Sequence, residues 1–356
     1  MSMDEADNVK IHIPSINHPQ SELFETGRME RMFTKLKLIG EGAFGRVFKG
    51  VNRIEGKKYA IKRIFFRVDR NQNIQEHPFF REVTALTKLS HPSIVRHHST
   101  WIEENLEPDD FGKSLETDED YEEPFQNDQI SLNDLGFEWE EKSKTKEKSL
   151  SESTNQLKAA DKLNLILNIQ MSYYSPKTLK DLIQEKDLLS FDFKLSIIKQ
   201  LLEGLKYIHF NGFIHRDIKP SNIFFASEKS IIIGDFGLAI ESLSKFKDKD
   251  VFGTFNYSAP EIEQGLGYDN TIDIYSAGII FYELFEDFQT EHERFMKIKG
   301  LRSNKMNFEF QNNYPFISSI ISKMIASDPS HRFSSANEIL SSENWKELKK
   351  QRSNLS

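Results

Sequence analysis

"HRDIKPSN", residues 215–222, decides the fold. Within eight residues it holds His215, Arg216, Asp217, Lys219 and Asn222, in the pattern His-Arg-Asp-x-Lys-x-x-Asn. Asp217 offers a carboxylate that can orient a substrate hydroxyl, Lys219 a cation for a transferring phosphoryl group, and Asn222 an amide oxygen for a metal. "DFG" follows at residues 235–237, and Asp235 can hold a Mg²⁺ ion that bridges nucleotide phosphates. "APE", residues 259–261, closes the stretch.

Upstream, "GEGAFGRV" places Gly40, Gly42 and Gly45 in a G-x-G-x-x-G-x-V loop that ends on Val47. Glycine lets backbone amides approach phosphate oxygens closely. Taken alone, the loop is also compatible with a bare hairpin turn. A dinucleotide-binding fold uses the same spacing, but there a helix must open at the glycines, whereas here a second strand pattern follows. Lys62 in "YAIKR" lies on the next strand pattern, and Glu82 in "REVTAL" is the carboxylate positioned to pair with it. Taken singly, each reads as an ordinary surface charge. The order of all these motifs along one chain is what removes coincidence.

The chain has 356 residues, 38% of them apolar, which is enough for one large two-lobed domain or two ordinary ones. It contains no cysteine, so disulfides, thiolate nucleophiles and cysteine-zinc sites are excluded. The start, "MSMDEADNVK", is acidic without an apolar core, so no signal peptide is expected. "IDIYSAGIIFYELF" carries Asp273 and Glu283 and is too short to span a bilayer, and reads as a buried helix. A cytoplasmic protein without a membrane segment is the expectation. Residues 103–160 hold 18 Asp/Glu against 6 Lys, so one segment accounts for the acidity of a chain whose net charge is -8.

Strand alternation runs through "FTKLKLIGEGAFGRVFKG" and "KKYAIKRIFF", and "FFREVTALTKL" sets Phe80, Val83, Leu86 and Leu89 at helical spacing. Residues from about 104 to 160 combine high charge with little periodicity and read as a disordered insert. "LNLILNIQMSYY" then suits a buried strand, and "FKLSIIKQLLEGLKYIHF" a helix with Leu195, Ile198, Leu202 and Leu205 on one face. Short strands are expected at 213–214, 223–225 and 231–233, with helix predominating to about Leu348.

These motifs, in this order, make residues 33 to about 348 resemble a eukaryotic protein kinase domain. The resemblance implies an α+β, bilobal fold, with a β-rich small lobe at 33–171, a hinge at 172–175, a helical large lobe at 176–349, and tails at 1–32 and 350–356. ATP and Mg²⁺ are the implied cofactors. Ile39, Val47 and Ala60 would help bind the nucleotide, Met171 would be the gatekeeper, and Ser172 to Tyr174 the hinge that receives adenine. Lys219 and Thr254, in "GTFNYSAPE", match the Ser/Thr class. Asp273 matches the aspartate that braces the catalytic loop, and Arg332 the arginine that pairs with Glu261.

Finer features resemble the stress-responsive kinases of the alpha subunit of eukaryotic translation initiation factor 2. They are an acidic insert after a strand containing Trp101, "IQM" at 169–171 with Tyr173, and Thr178 with Leu179. In that family a large-lobe helix with a threonine near its start and a Leu-Arg ending docks the factor. "TEHERFMKIKGLRS", residues 290–303, offers Thr290, Glu293, Leu301 and Arg302 at matching positions. Thr290 and Glu293 are also spaced to cap a helix, with a left-handed end expected at Gly300. The resemblance further implies homodimers through the small lobe, although no ion-pairing partner is evident near Arg28 to Arg31. The sensor modules common in that family, nucleic-acid-binding ones included, are not visible in this sequence.

In the activation segment Lys249 stands where relatives often carry a threonine. Asp248 or Asp250, or phosphorylated Ser242 or Ser244, would supply the anion for Arg216. "LNDLGFEWEE", with Leu135, Phe137 and Trp139, reads as solvated loop or partner patch. A Ser/Thr kinase of cell-cycle or checkpoint type and a pseudokinase scaffold remain the alternatives.

Overall fold

The structure, a computed structural model, describes residues 23–42, 45–69, 72–105, 162–185, 189–242 and 255–355. Helix α1 (Arg28–Met32) leads into β1 (Phe33–Gly42), β2 (Gly45–Asn52) and β3 (Lys58–Asp69). Helix α2 (Phe80–Lys88), β4 (His97–Glu104) and β5 (Lys162–Ser172) complete the small lobe. The five strands form one antiparallel sheet in the order β1-β2-β3-β5-β4. Alternation along β3 buries Tyr59, Ile61, Ile64, Phe66 and Val68 on its two faces, and β5 is buried almost throughout, as a central strand covered on both sides must be.

Ten residues before β1 are part of this lobe rather than a tail. Phe24 bridges Ile102 in parallel, Glu25 N donates to the Ile102 carbonyl at 2.8 Å, and Met29 is 1% exposed. Glu103, itself buried, accepts from Met29 N at 3.0 Å and from Trp101 Nε1 at 2.9 Å. Arg28 pairs with Glu25 at 2.7 Å and lies over the Trp101 ring. The apolar pair Phe24 and Met29 and one buried acceptor thus draw in a stretch whose sequence has no periodicity to announce it.

The large lobe is built on α3 (Leu179–Gln184), α4 (Phe191–Phe210), β6 (Phe213–Ile214), β7 (Ile223–Ser227), β8 (Ser230–Ile233) and β9 (Ile240–Glu241). It continues through α5 (Pro260–Glu263), α6 (Thr271–Phe285), α7 (Glu291–Arg302), α8 (Phe308–Asn313), α9 (Pro315–Met324), α10 (Ala336–Ser341) and α11 (Glu343–Leu355). Every residue of α6 is buried, which accounts for its almost unbroken apolar sequence. The lobes are stitched beside α2 by Val95 N to Ile233 O at 2.9 Å and Ile233 N to Ser93 O at 2.8 Å.

Several boundaries differ from those read in the sequence. Glu104 belongs to β4, Ser172 closes β5 opposite Tyr59, and α11 runs on to Leu355, supported by Lys-Glu pairs one turn apart at 343–346 and 347–350. Helix α7 does not end at Gly300 but at Arg302, and the left-handed residue is Asn304, with φ 57°. Arg302 holds the last turn helical by reaching the Ser258 carbonyl and Glu263. The acidic insert from residue 106 onward, with Leu135, Phe137 and Trp139, lies outside the described residues, as do Ser244, Asp248, Lys249, Asp250 and Thr254.

Candidate active site

Lys62 faces the cleft from β3, with Val47 of β2 on one side and Ile169 of β5 on the other in register. Helix α2 turns Glu82, Ala85 and Leu86 inward, so the carboxylate arrives among apolar side chains. A buried charge persists only when paired. Lys62 Nζ donates to both Glu82 oxygens at 2.9 Å and to Asp235 Oδ1 at 2.9 Å. Burial alone would push Lys62 down, but Glu82 and Asp235 hold it above the ordinary lysine range. Burial raises Glu82, with Lys62 opposing. Burial also works against ionised Asp235, yet Lys62 outweighs it and keeps this carboxyl below its usual range. One cation is thus shared by two carboxylates.

The backbone is tightly set around this trio. Gly237 leaves little room for a side chain, since a Cβ there would sit 3.2 Å from Lys62 Nζ and 3.3 Å from Asp235 Oδ1 and would press on that ion pair. Gly45, at φ +119°, closes the glycine loop so near β3 that a Cβ would lie 2.0 Å from the Arg63 carbonyl oxygen. Glu41 and Arg46 tie the two ends of that loop together at 2.8 Å.

Asp273, fully buried on α6, organises the catalytic loop. Its Oδ2 accepts from His215 N at 2.8 Å and contacts His209 Nε2 at 2.8 Å, while Oδ1 accepts from Arg216 N at 2.9 Å. Burial would raise the Asp273 carboxyl, but the bond from His209 leads the groups that lower it. Arg216 and Asp235 both adopt left-handed backbone, at φ 68° and 58°. Such residues cost about 1–3 kcal/mol each and persist only where their surroundings over-determine them. Arg216 is fixed further by Nε donating to Leu238 O at 2.5 Å and Nη1 to the Tyr268 hydroxyl at 2.7 Å.

Asp217 is presented one residue on. Its Oδ2 meets Lys219 Nζ at 2.8 Å and Asn222 Nδ2 at 2.9 Å. Asn222 Nδ2 also donates to the Asp217 carbonyl at 2.9 Å, which leaves its Oδ1 as an acceptor. That oxygen and the 37%-exposed Asp235 carboxylate are hard ligands of the type Mg²⁺ prefers. Among the described residues there is no group of three or more His, Asp or Glu that could hold a metal. The donor set therefore suits an ion that takes further ligands from nucleotide phosphates and water.

Of the residues the resemblance assigns to the nucleotide site, Met171 is buried, Ile39 is 40% exposed, and Ala60 pairs with Met171 across β3 and β5. Gly40 lies opposite Val47 in the β1–β2 pair, and Gly42 opposite Gly45. Ser172 donates its N–H to Arg96 O at 2.9 Å, and its hydroxyl contacts His98 Nε2 at 2.8 Å. Tyr174 packs half-buried against the core. Ser242 is an exposed turn residue whose N–H donates to Gly212 O. Arg332 grips Glu261 through two bonds of 2.6 and 2.7 Å, both residues buried.

On α7, Thr290 is the exposed N-cap and accepts from Glu293 N at 3.0 Å, while Glu293 accepts from Gln289 N at 2.7 Å. Leu301 is buried, and Arg302 points inward to Ser258 and Glu263. These last two positions therefore anchor the helix rather than face solvent. Sequence reading missed His209 beneath Asp273, Tyr268 beside Arg216, and a buried contact between Arg294, Tyr257 and Glu283. Only the placement of a charged residue within an apolar helix, Glu283, could have signalled the last.

The protein kinase domain family model matches residues 33–109 and 136–345. The eIF-2-alpha kinase GCN2 of Schizosaccharomyces pombe is 32% identical over 89% of this chain and 23% of its own length. The eIF-2-alpha kinase GCN2 of Arabidopsis thaliana is 30% identical over 92% and 26%. The interferon-induced, double-stranded RNA-activated protein kinase of Rattus norvegicus is 28% identical over 95% and 57%. The chain thus spans about a quarter of the first two relatives and just over half of the third. No helix among the described residues is long and apolar enough to cross a membrane. With the cleft geometry and these matches in hand, the chain belongs to the protein kinase domain family and is similar to the eIF-2-alpha kinases.

Proposed function

We propose that this chain transfers the γ-phosphoryl group of ATP, with Mg²⁺, to a serine of the translation initiation factor 2 alpha subunit, lowering translation initiation in the cytoplasm. The observation that carries this reading is the pair of eIF-2-alpha kinases that match it over 89% and 92% of its length.

In this reading Lys62, fixed by Glu82, grips the nucleotide phosphates. Asn222 and Asp235 would hold Mg²⁺, which when bound supplies positive charge against that of the transferring group. Asp217 orients the serine hydroxyl and accepts its proton as the new O–P bond forms and the bond from Pγ to ADP breaks. Lys219 stabilises the group in flight. The residues mainly position and neutralise, so displacing one by ~1 Å costs roughly a hundredfold in rate.

The docking surface is the outer face of α7, with Thr290 and Glu293 at its start. Phe295 and Met296, 42% and 51% exposed on the following turn, favour a protein partner over solvent. The test is phosphoryl transfer to purified factor alpha subunit beside a histone, with wild type, Thr290→Ala and Phe295→Asp. Selective labelling of the factor, with KM for it raised by either substitution, is expected. Equal labelling of both proteins, unchanged by the substitutions, would make the chain a Ser/Thr kinase of another family, for instance a cell-cycle or checkpoint type.

A further inference from the structure

One buried charge cluster, at the junction of α6 and α7, takes no part in the phosphoryl-transfer chemistry. Glu283, on the last turn of α6, is 2% exposed, and burial pushes its carboxyl above the ordinary range. Arg294, from α7, places Nη2 2.5 Å from Glu283 Oε1 and donates from the same nitrogen to the Tyr257 hydroxyl at 2.7 Å. That hydroxyl in turn donates to Glu283 Oε2 at 2.8 Å. Each group therefore uses the other two: the phenol accepts once and donates once, and the carboxylate is met by a cation and a donor.

Tyr257 belongs to the turn Phe255–Tyr257, between "DFG" and "APE". Its backbone carbonyl is also held, accepting from Ser276 Oγ at 2.8 Å, and the next carbonyl, of Ser258, accepts from Arg302 Nη2 at 3.0 Å. Two arginines of α7, eight residues and ~12 Å apart along its axis, thus clamp one short segment. Asp273, Ser276 and Glu283 lie within ~80° of arc on α6. The helix face that fixes the catalytic loop through Asp273 therefore also fixes this segment through Ser276 and Glu283.

We propose that Arg294 is a positioning residue: by holding Tyr257 against Glu283 it sets the segment before "APE" so that a protein substrate presents its hydroxyl to Asp217. A merely structural role would be complete once the charge of Glu283 is neutralised. Positioning also needs the bond to the Tyr257 hydroxyl. The inference rests on the chain acting as a protein kinase, and deepens the reading of α7 as the docking helix. It does not depend on which protein is the substrate.

The test compares the full chain with Arg294→Met, Tyr257→Phe and the double variant Arg294→Met/Glu283→Gln. Tm, KM for ATP, and kcat and KM on both the factor alpha subunit and a histone are measured. Arg294→Met alone is expected to lower Tm and kcat together, because it strands a buried carboxylate. Adding Glu283→Gln removes that charge and restores Tm, while kcat on either substrate stays at least about tenfold low and KM for ATP is unchanged. Tyr257→Phe keeps the ring and leaves Arg294 on Glu283 but strips one donor from that carboxylate, so it should lower Tm by only a few degrees while lowering kcat on either substrate with KM for ATP unchanged. Recovery of wild-type kcat along with Tm in the double variant, or full kcat in Tyr257→Phe, overturns the proposal. If the double variant stays unstable, Tyr257→Phe alone decides. A wild-type enzyme that labels histone but not the factor removes the substrate reading, while kcat on histone still tests Arg294.

Discussion

Replacing Asp273 by asparagine changes almost no volume and removes one charge. The carboxylate receives the backbone N–H groups of His215 and Arg216 and contacts His209. An asparagine can accept through one oxygen only, and its amide nitrogen then points a donor at another donor. Hydrogen bonds to charged groups contribute about 1.5–3 kcal/mol each, and at least one is lost with a donor left buried, so the cost is roughly 3–5 kcal/mol. At about 2 °C per kcal/mol for a domain of this size, Tm should fall by roughly 6–10 °C. Because the two amides flank the turn that presents Asp217, a shift of ~1 Å would lower kcat roughly a hundredfold. KM for ATP should change little, since Lys62, Glu82 and Asp235 are untouched. The pH dependence follows from the lowered carboxyl of Asp273. A carboxyl depressed in the folded state adds stability above its unfolded value and loses it as pH falls through the folded one. The gap between wild type and variant should therefore be full at pH 7 and narrow below about pH 5. Thermal melts, urea unfolding at several pH values and steady-state kinetics measure all three quantities. A variant with wild-type Tm and kcat would refute the argument that Asp273 holds the loop.

Gly45→Ala places a Cβ against the Arg63 carbonyl at a positive φ, so KM for ATP should rise about fivefold to a hundredfold, from strain of about 1–3 kcal/mol; an unchanged KM would mean the loop relaxes freely. Arg332→Met leaves Glu261 buried without its partner and should cost about 3–5 kcal/mol in urea unfolding. Deleting residues 1–32 exposes the pockets of Phe24 and Met29, at about 1.5–3 kcal/mol each, and should lower Tm while leaving KM for ATP in place. Equal melting of the two chains would make that segment dispensable.

The candidate site was legible because phosphoryl transfer demands particular groups at short, fixed spacings. Asp217, Lys219 and Asn222 lie within six positions, and the structure sets Lys219 and Asn222 both against the Asp217 carboxylate. Lys62 and Glu82 were ambiguous singly, and only the fold, which brings a helix residue against a strand residue 20 positions away, resolves them. The strands and the buried helix Thr271–Phe285 were readable from periodicity and apolar content. The segment before β1 was not, because two apolar residues and one remote acceptor, Glu103, hold it without any repeat. The end of α7 was misjudged for a related reason: Gly300 signals a cap locally, but the tertiary contacts of Arg302 carry the helix past it. Arg294 resembled its exposed neighbours in sequence, and its inward direction depends on Glu283 of another helix.

The central claim is that Asp217 and its neighbours transfer phosphate rather than merely bind nucleotide. The direct measurement is single-turnover transfer of labelled γ-phosphate from ATP with Mg²⁺ to the factor alpha subunit, comparing wild type with Asp217→Asn, alongside nucleotide binding by both. The account expects both proteins to bind ATP equally and only the wild type to label the serine. Tight ATP binding by the wild type without any transfer, to the factor or to histone, would contradict it and leave a nucleotide-binding scaffold in its place.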